Sequence, residues 1–226
     1  MWNKNLERRG GFFQNPDWYE LQIERKLPLL VPMRQQMLYA LPPILPGWKV
    51  CDLLCGSGLF SLEAFRAYPG MHLTLMDGDA TRLQMASERF ATALNPEKNQ
   101  QVTTQRQLLD LGSGSTLSLL GAPFHVIVST LGLHVLVGHH ADSNKATAGY
   151  KILFDLLFCS LLPGGHFIFG DHVGLLPVYI QLKLMEEAGF RGVDVAWRDQ
   201  DFFVAGGYKP DTGAAAPTSS SSSSSS

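Results

Sequence analysis

Val50-Cys-Asp-Leu-Leu-Cys-Gly-Ser-Gly-Leu-Phe-Ser61 is the stretch on which the fold is decided. Val50, Leu53 and Leu54 read as a short strand buried on both faces, as parallel strands are. Gly56-Ser57-Gly58 breaks the run, and Leu59, Phe60, Leu62 and Ala64 then open a helix. Strand, glycine turn and helix together bring backbone N–H groups to a helix N-terminus, where a small anionic ligand group can be held. A Cβ at either glycine would crowd such a ligand or resist a turn with positive φ. Gly-x-Gly alone is an ordinary turn signal. Two carboxylates strengthen it. Asp52 ends the strand, and Asp77 ends the next apolar run, 19 residues past Gly58. A carboxylate at that distance suits the two hydroxyls of a ribose.

Val50-Cys-Asp-Leu-Leu-Cys-Gly-Ser-Gly58 resembles the first motif of class I S-adenosylmethionine-dependent methyltransferases, V-L-D-L-G-C-G-S/T-G, with Leu54 in place of the first family glycine. Three further segments match in order. His72-Leu-Thr-Leu-Met-Asp77 is similar to the second strand with its ribose acid, and Phe124-His-Val-Ile-Val-Ser-Thr-Leu-Gly-Leu-His134 to the F-D-x-V-x-S…L-H segment, with His125 where the family has Asp. Leu161-Leu-Pro-Gly-Gly-His-Phe-Ile-Phe-Gly-Asp171 resembles L-K-P-G-G-x-L. The likeness spans residues 47–208.

The resemblance implies a Rossmann-like α/β sheet of seven strands, helices on both faces and the last strand antiparallel. It implies S-adenosylmethionine as cofactor and methyl transfer to an oxygen, nitrogen or sulfur nucleophile on a small molecule. Gly56 and Gly58, with Cys55 and Ser57 in the same turn, would admit the methionyl part, and Asp52 would stand near its ammonium group. Asp77 and Gly78 would meet the ribose. Asp110 or the neighbouring backbone of Leu109 would meet the adenine, although Leu108 is an alternative occupant of the family's acid position. Thr130 would border the reacting end, and His134 is the candidate base.

Composition fits one domain with appendages. A chain of 226 residues with formal charge −2 and pI near 6.4 offers no overall lure for nucleic acid or anionic membrane. Cys51, Cys55 and Cys159 make an odd count without a C-x-x-C pair, which suits a reducing, cytoplasmic setting. No apolar run reaches the ~18 residues of a membrane span. Residues 1–46 are expected to be an N-terminal arm and lid helices, 47–208 the cofactor-binding domain, and 209–226 a disordered Ala/Ser-rich tail.

In chain order, Asn15-Pro-Asp17 predicts a helix capped by Asp17, interrupted by Pro28 and Pro32, with a second helix over 33–41. Trp18, Tyr19 and Arg34 are candidates for a lid over the cofactor, or simply for packing. Helices are expected over 58–68, 80–94, 145–162 and 175–188, and strands over 71–76, 102–106, 124–129, 166–169, 190–197 and 202–208. Pro163-Gly164-Gly165 reads as a helix stop, and Gly112–Thr116 as a flexible loop. Asp79 is a cap for the 80–94 helix. Asp171 and His172 either face the acceptor or cap the next helix. His134, His139 and His140 fall within seven residues, but no suitably paired carboxylate is visible beside them, so no metal is expected. Three other functions stay open. A nicotinamide-dependent oxidoreductase is opposed by Pro163-Gly-Gly and the terminal strand pair. A methyltransferase acting on tRNA or protein would use Lys4, Arg8, Arg9, Arg25, Lys26 and Arg34, which Glu7, Asp17, Glu20 and Glu24 dilute. A non-catalytic binding protein of the same fold would explain Leu54 and His125.

Overall fold

The computed structural model describes residues 16–95, 101–111, 118–138, 143–174 and 176–211. Helices α1 (Pro16–Lys26) and α2 (Leu30–Ala40) precede β1 (Lys49–Leu53). There follow α3 (Leu59–Ala67), β2 (His72–Asp77), α4 (Ala80–Ala93), β3 (Val102–Arg106) and β4 (Phe124–Thr130). The chain continues through α5 (Leu133–Val137), α6 (Ser143–Cys159), β5 (Leu161–His172), α7 (Val178–Glu187), β6 (Arg191–Asp199) and β7 (Phe202–Tyr208).

These strands make one seven-stranded sheet in the order β3-β2-β1-β4-β5-β7-β6. Neighbours from β3 to β5 are parallel, and β7 runs antiparallel to both β5 and β6. The order reverses between β1 and β4, whose carboxyl ends stand side by side through the Asp52–Val128 register. Ligands of open α/β sheets bind at such a reversal.

Side chains alternate along each strand and sort the core into two layers. Phe167 and Phe169 face α6 and α7, meeting Phe154, Leu157 and Phe190. Ile168, Val126 and Val128 face the other way, onto Met33 and Met37 of α2 and Phe60 and Phe65 of α3. Each such side chain, fully buried, contributes about 1.5–3 kcal/mol before the entropy of ordering it.

Several expected boundaries move. Helix α6 ends at Cys159, and Pro163-Gly164-Gly165 lies inside β5 instead of stopping a helix. Gly164 takes φ +73°, and the β4–β5 register shifts between Phe124 and Val126, so the three residues are absorbed as an irregularity of a twelve-residue strand. Helix α2 begins at Leu30, because Pro32 falls in the first turn where no intrahelical N–H is lost. Helix α1 begins at Pro16, which leaves Asp17 inside the first turn and not at the cap. Helix α7 begins at Val178, after Pro177. The expected arm, the Gly112–Thr116 loop, His139, His140 and the serine tail lie outside the described residues, as do the side chains of Trp18 and Tyr19. Among the described residues no helix is long and apolar enough to cross a membrane.

Candidate active site

The turn after β1 holds three residues at positive φ: Leu54 at 60°, Gly56 at 56° and Gly58 at 73°. Leu54 therefore occupies the left-handed region at the position where the resembled motif has glycine, a conformation that strains a side chain. The glycines serve different ends. A Cβ on Gly56 would meet nothing within 4 Å, whereas one on Gly58 would stand 3.0 Å from Ala86 Cβ. Gly58 lets α4 approach the turn; Gly56 faces open space.

Asp77, at the tip of β2, fastens this turn. Its Oδ2 accepts from the Gly56 N–H at 3.0 Å and its Oδ1 from the Asp79 N–H at 2.9 Å. Asp79 caps α4 by accepting from Thr81 and Arg82 N–H. Asp52, only 1% exposed, lies beneath the turn and accepts from the Ser61 hydroxyl of α3. Burial pushes its carboxyl up to about 7, against the pull of the Ser61 hydrogen bond, and the Asp77 charge adds to the rise. Burial likewise pushes the Cys51 and Cys55 thiols up, the Asp52 charge adding to it, so neither is a thiolate nucleophile at neutral pH.

A cavity of about 630 Å³ opens over the carboxyl ends of β1, β4 and β5. Cys55, Gly56, Ser57 and Phe60 form one end; Thr130, Leu131, His134, His172 and Phe202 form the other. Ile23, Leu27, Leu30 and Arg34, from α1, α2 and the bend between them, line it from above the sheet. Helix α1 is fastened to the glycine turn: the Ser57 hydroxyl and the Arg89 guanidinium both donate to the Glu20 carboxylate, and Arg89 Nε donates to the Ser57 carbonyl at 2.9 Å. Arg34 is buried and pairs with Glu24 at 2.6 Å and more loosely with Glu63 at 3.9 Å.

At the second end His134 sits in the first turn of α5, just past the tip of β4. Its Nδ1 lies 2.6 Å from Asp171 Oδ1, and its backbone N–H donates to Asp171 Oδ2 at 3.2 Å. One buried carboxylate thus fixes both the ring and the helix that carries it. The His172 ring centroid stands 4.3 Å from that of His134, and Phe202 packs edge-on to His172. Asp171 does not cap α7; it serves α5.

Of the residues singled out in the sequence, Cys55, Gly56, Ser57, Thr130 and His134 line the cavity. Asp52, Gly58 and Asp77 support the turn from below or beside it. Thr130 also donates its hydroxyl to Met37 Sδ at 3.5 Å. Gly78, Leu109 and Asp110 fall outside the lining. Leu108, 78% exposed, lies against Gly78, where a Cβ would meet Leu108 Cδ2 at 2.8 Å. His125 is structural: its Nδ1 accepts from the Lys49 N–H at 3.0 Å and its ring stacks on Trp48. Burial, helped by Lys49, lowers its pKa. Sequence reading missed the roles of Glu20 and Arg89 and the pairing of Asp171 with His134. Asp171 is 37 residues from its partner, and only the β4–β5 register brings the two strand tips together.

No protein-family model matches the sequence, and no curated protein matches it either. Solved structures do match by shape. An O-methyltransferase family protein from Burkholderia thailandensis superposes with a TM-score of 0.62 at 14% identity, covering 93% of this chain and 68% of its own. The S-adenosylmethionine-dependent methyltransferase SibL, in its apo form, gives 0.58 at 17% identity, covering 87% and 60%. Human N-acetylserotonin methyltransferase, in complex with S-adenosylmethionine, gives 0.52 at 16%, covering 78% and 51%. The chain has the class I methyltransferase fold. That fold includes the antiparallel β7, as the resemblance implied. The chain spans about 60% of the length of SibL and 51% of that of the human enzyme.

Proposed function

We propose that the chain binds S-adenosylmethionine and transfers its methyl group to a small-molecule nucleophile, His134 acting as general base. The observation that carries this reading is the His134–Asp171 pair, opening on the same cavity as the glycine turn. When bound, S-adenosylmethionine supplies an electrophilic methyl group on a sulfonium. The residues fit such a ligand. Gly56 leaves open the space that a side chain would fill, and Asp77 retains lone pairs for ribose hydroxyls beyond the two N–H bonds it accepts. Asp52 holds the turn from beneath through Ser61. Ile23, Leu27 and Phe60 give the cavity apolar walls, which strengthen polar interactions beside them.

His134 does the acid–base work in this reading. Asp171 accepts the Nδ1 proton and orients the ring, so Nε2 is the nitrogen that receives the proton of an acceptor hydroxyl. Asp171 is a positioning residue. Residues 1–46 serve as arm and lid, 47–208 as the transferase domain and 209–226 as a tail, and a cytoplasmic setting belongs to the same reading. The test is isothermal titration of the full chain with S-adenosylmethionine, S-adenosylhomocysteine and NADH. Micromolar binding of the two sulfur ligands supports the proposal. Folded protein that binds neither, or that prefers NADH, overturns it.

A further inference from the structure

Three potential metal ligands converge at the second end of the cavity. His134 comes from α5, and Asp171 and His172 are the last two residues of β5. One ligand atom from each lies within 4.8 Å of the other two. His134 and Asp171 are buried, and His172 is half-buried. The two histidines also line the cavity, so a group held among them would face whatever occupies it.

We propose that His134, Asp171 and His172 bind one divalent first-row transition-metal ion. Two imidazoles and a carboxylate are the donor set that suits zinc, cobalt and iron(II), and they leave positions open for a further ligand. Donors sharing an ion at about 2.1 Å stand roughly 3–4 Å apart. The three donors lie within 4.8 Å of one another, a little wider than that. A base pair needs only His134 and Asp171; His172, whose ring also meets Phe202, adds the second imidazole that a cation site uses. The carboxylate among the donors also supplies the opposite charge that a partly buried cation requires.

The consequence for chemistry rests on the methyl-transfer reading above. An ion coordinated by His134 takes the ring out of use as a base. An acceptor hydroxyl bound to the ion's open position would lose its proton to water, because coordination lowers the pKa of a bound hydroxyl. The same spot then activates an oxygen by Lewis acidity in the loaded protein and by proton transfer in the unloaded one.

The test titrates metal-stripped full chain with Co2+, read by visible absorption, and with Zn2+, read by calorimetry. Wild type is expected to bind one ion per chain, at least tenfold more tightly than His172→Ala and Asp171→Asn. Ion addition is expected to raise the melting temperature of wild type and to leave that of the two variants unchanged. A double substitution, His139→Ala with His140→Ala, controls for the neighbouring histidines and is expected to keep binding. Wild-type affinity no better than that of His172→Ala and Asp171→Asn overturns the site, as does binding lost in the His139/His140 control but kept in those two variants. S-adenosylhomocysteine titration of the same samples reads the cofactor assignment separately. Metal binding without it removes the methyl-transfer reading and leaves the cluster; the converse removes only the cluster.

Discussion

At the β1–β2 end of the cavity the wall is largely main chain, set by positive-φ residues and one carboxylate that accepts two backbone N–H groups. At the β4–β5 end the wall is side chains: two imidazoles, a carboxylate and a phenyl ring. Main chain recognises features common to every turnover, because its geometry tolerates almost any substitution that preserves φ. Side chains define what is particular, because one substitution there changes donor, charge or pKa. In the methyl-transfer reading proposed above, the first end takes the fixed ligand and the second the reacting one.

That division predicts separable losses. His134→Ala and Asp171→Asn should lower kcat by about 10²–10⁴-fold while leaving the S-adenosylhomocysteine dissociation constant within roughly twofold by calorimetry. Asp171→Asn should also shift the acidic limb of the pH–rate profile, the limb that a general base sets, which a merely structural role would not do. Parallel loss of cofactor affinity would break the division.

Asp77→Ala is the reciprocal experiment. It strands the Gly56 and Asp79 N–H groups, and S-adenosylhomocysteine should bind about 5–150-fold more weakly, equivalent to about 1–3 kcal/mol. Turnover at saturating cofactor should change far less. Asp79→Ala removes a helix cap and a loose 3.9 Å ion pair with Arg82, so it should lower the melting temperature by the equivalent of about 1 kcal/mol and spare cofactor affinity.

The buried Asp52 makes the first end pH-sensitive in stability. Its carboxyl moves from 3.8 to about 7 on folding, so the folded chain binds a proton that the unfolded chain has already lost. The stability from this group is complete below pH 3.8 and disappears as pH rises through about 7. Between about pH 5 and 8 wild type should lose several degrees of melting temperature relative to Asp52→Asn. Equal slopes for the two proteins would remove Asp52 as the cause.

The smallest effect concerns Leu54. In most settings glycine is about 0.5–1 kcal/mol less stable than alanine. At φ 60° the order should reverse, with Leu54→Gly more stable than Leu54→Ala by about 1 kcal/mol in denaturant titration. The usual order would mean that the turn relaxes out of the left-handed region.

Sequence alone reached the first end because its determinants are local. Glycines, apolar runs and the interval to Asp77 are all readable along a line, whereas the seven-stranded sheet with its antiparallel strand was implied by the family resemblance. The second end depends on register. Asp171 and His172 were legible as residues that either face the acceptor or cap the next helix, but nothing near His134 in the sequence marks them as its partners; the β4–β5 pairing sets them beside it. Boundaries failed where proline was read as punctuation: Pro32 sits in a first turn and Pro163 in a strand irregularity, and neither position requires a proline N–H. The Glu20–Ser57–Arg89 contact spans 69 residues and leaves no periodic trace.

The last strand among the described residues is not laid down at the edge. β7 inserts between β5 and β6, hydrogen-bonding to both, and Phe203 packs edge-on to Phe169. During synthesis, therefore, β5 waits with one side unpaired until Phe202–Tyr208 has emerged. Until then β5 offers a bare strand edge, and Phe169 lacks its Phe203 neighbour, an edge open to mispairing. Completion of this side of the sheet thus waits on the seven residues of β7, and any shortening that reaches them should be felt in yield before it is felt in turnover.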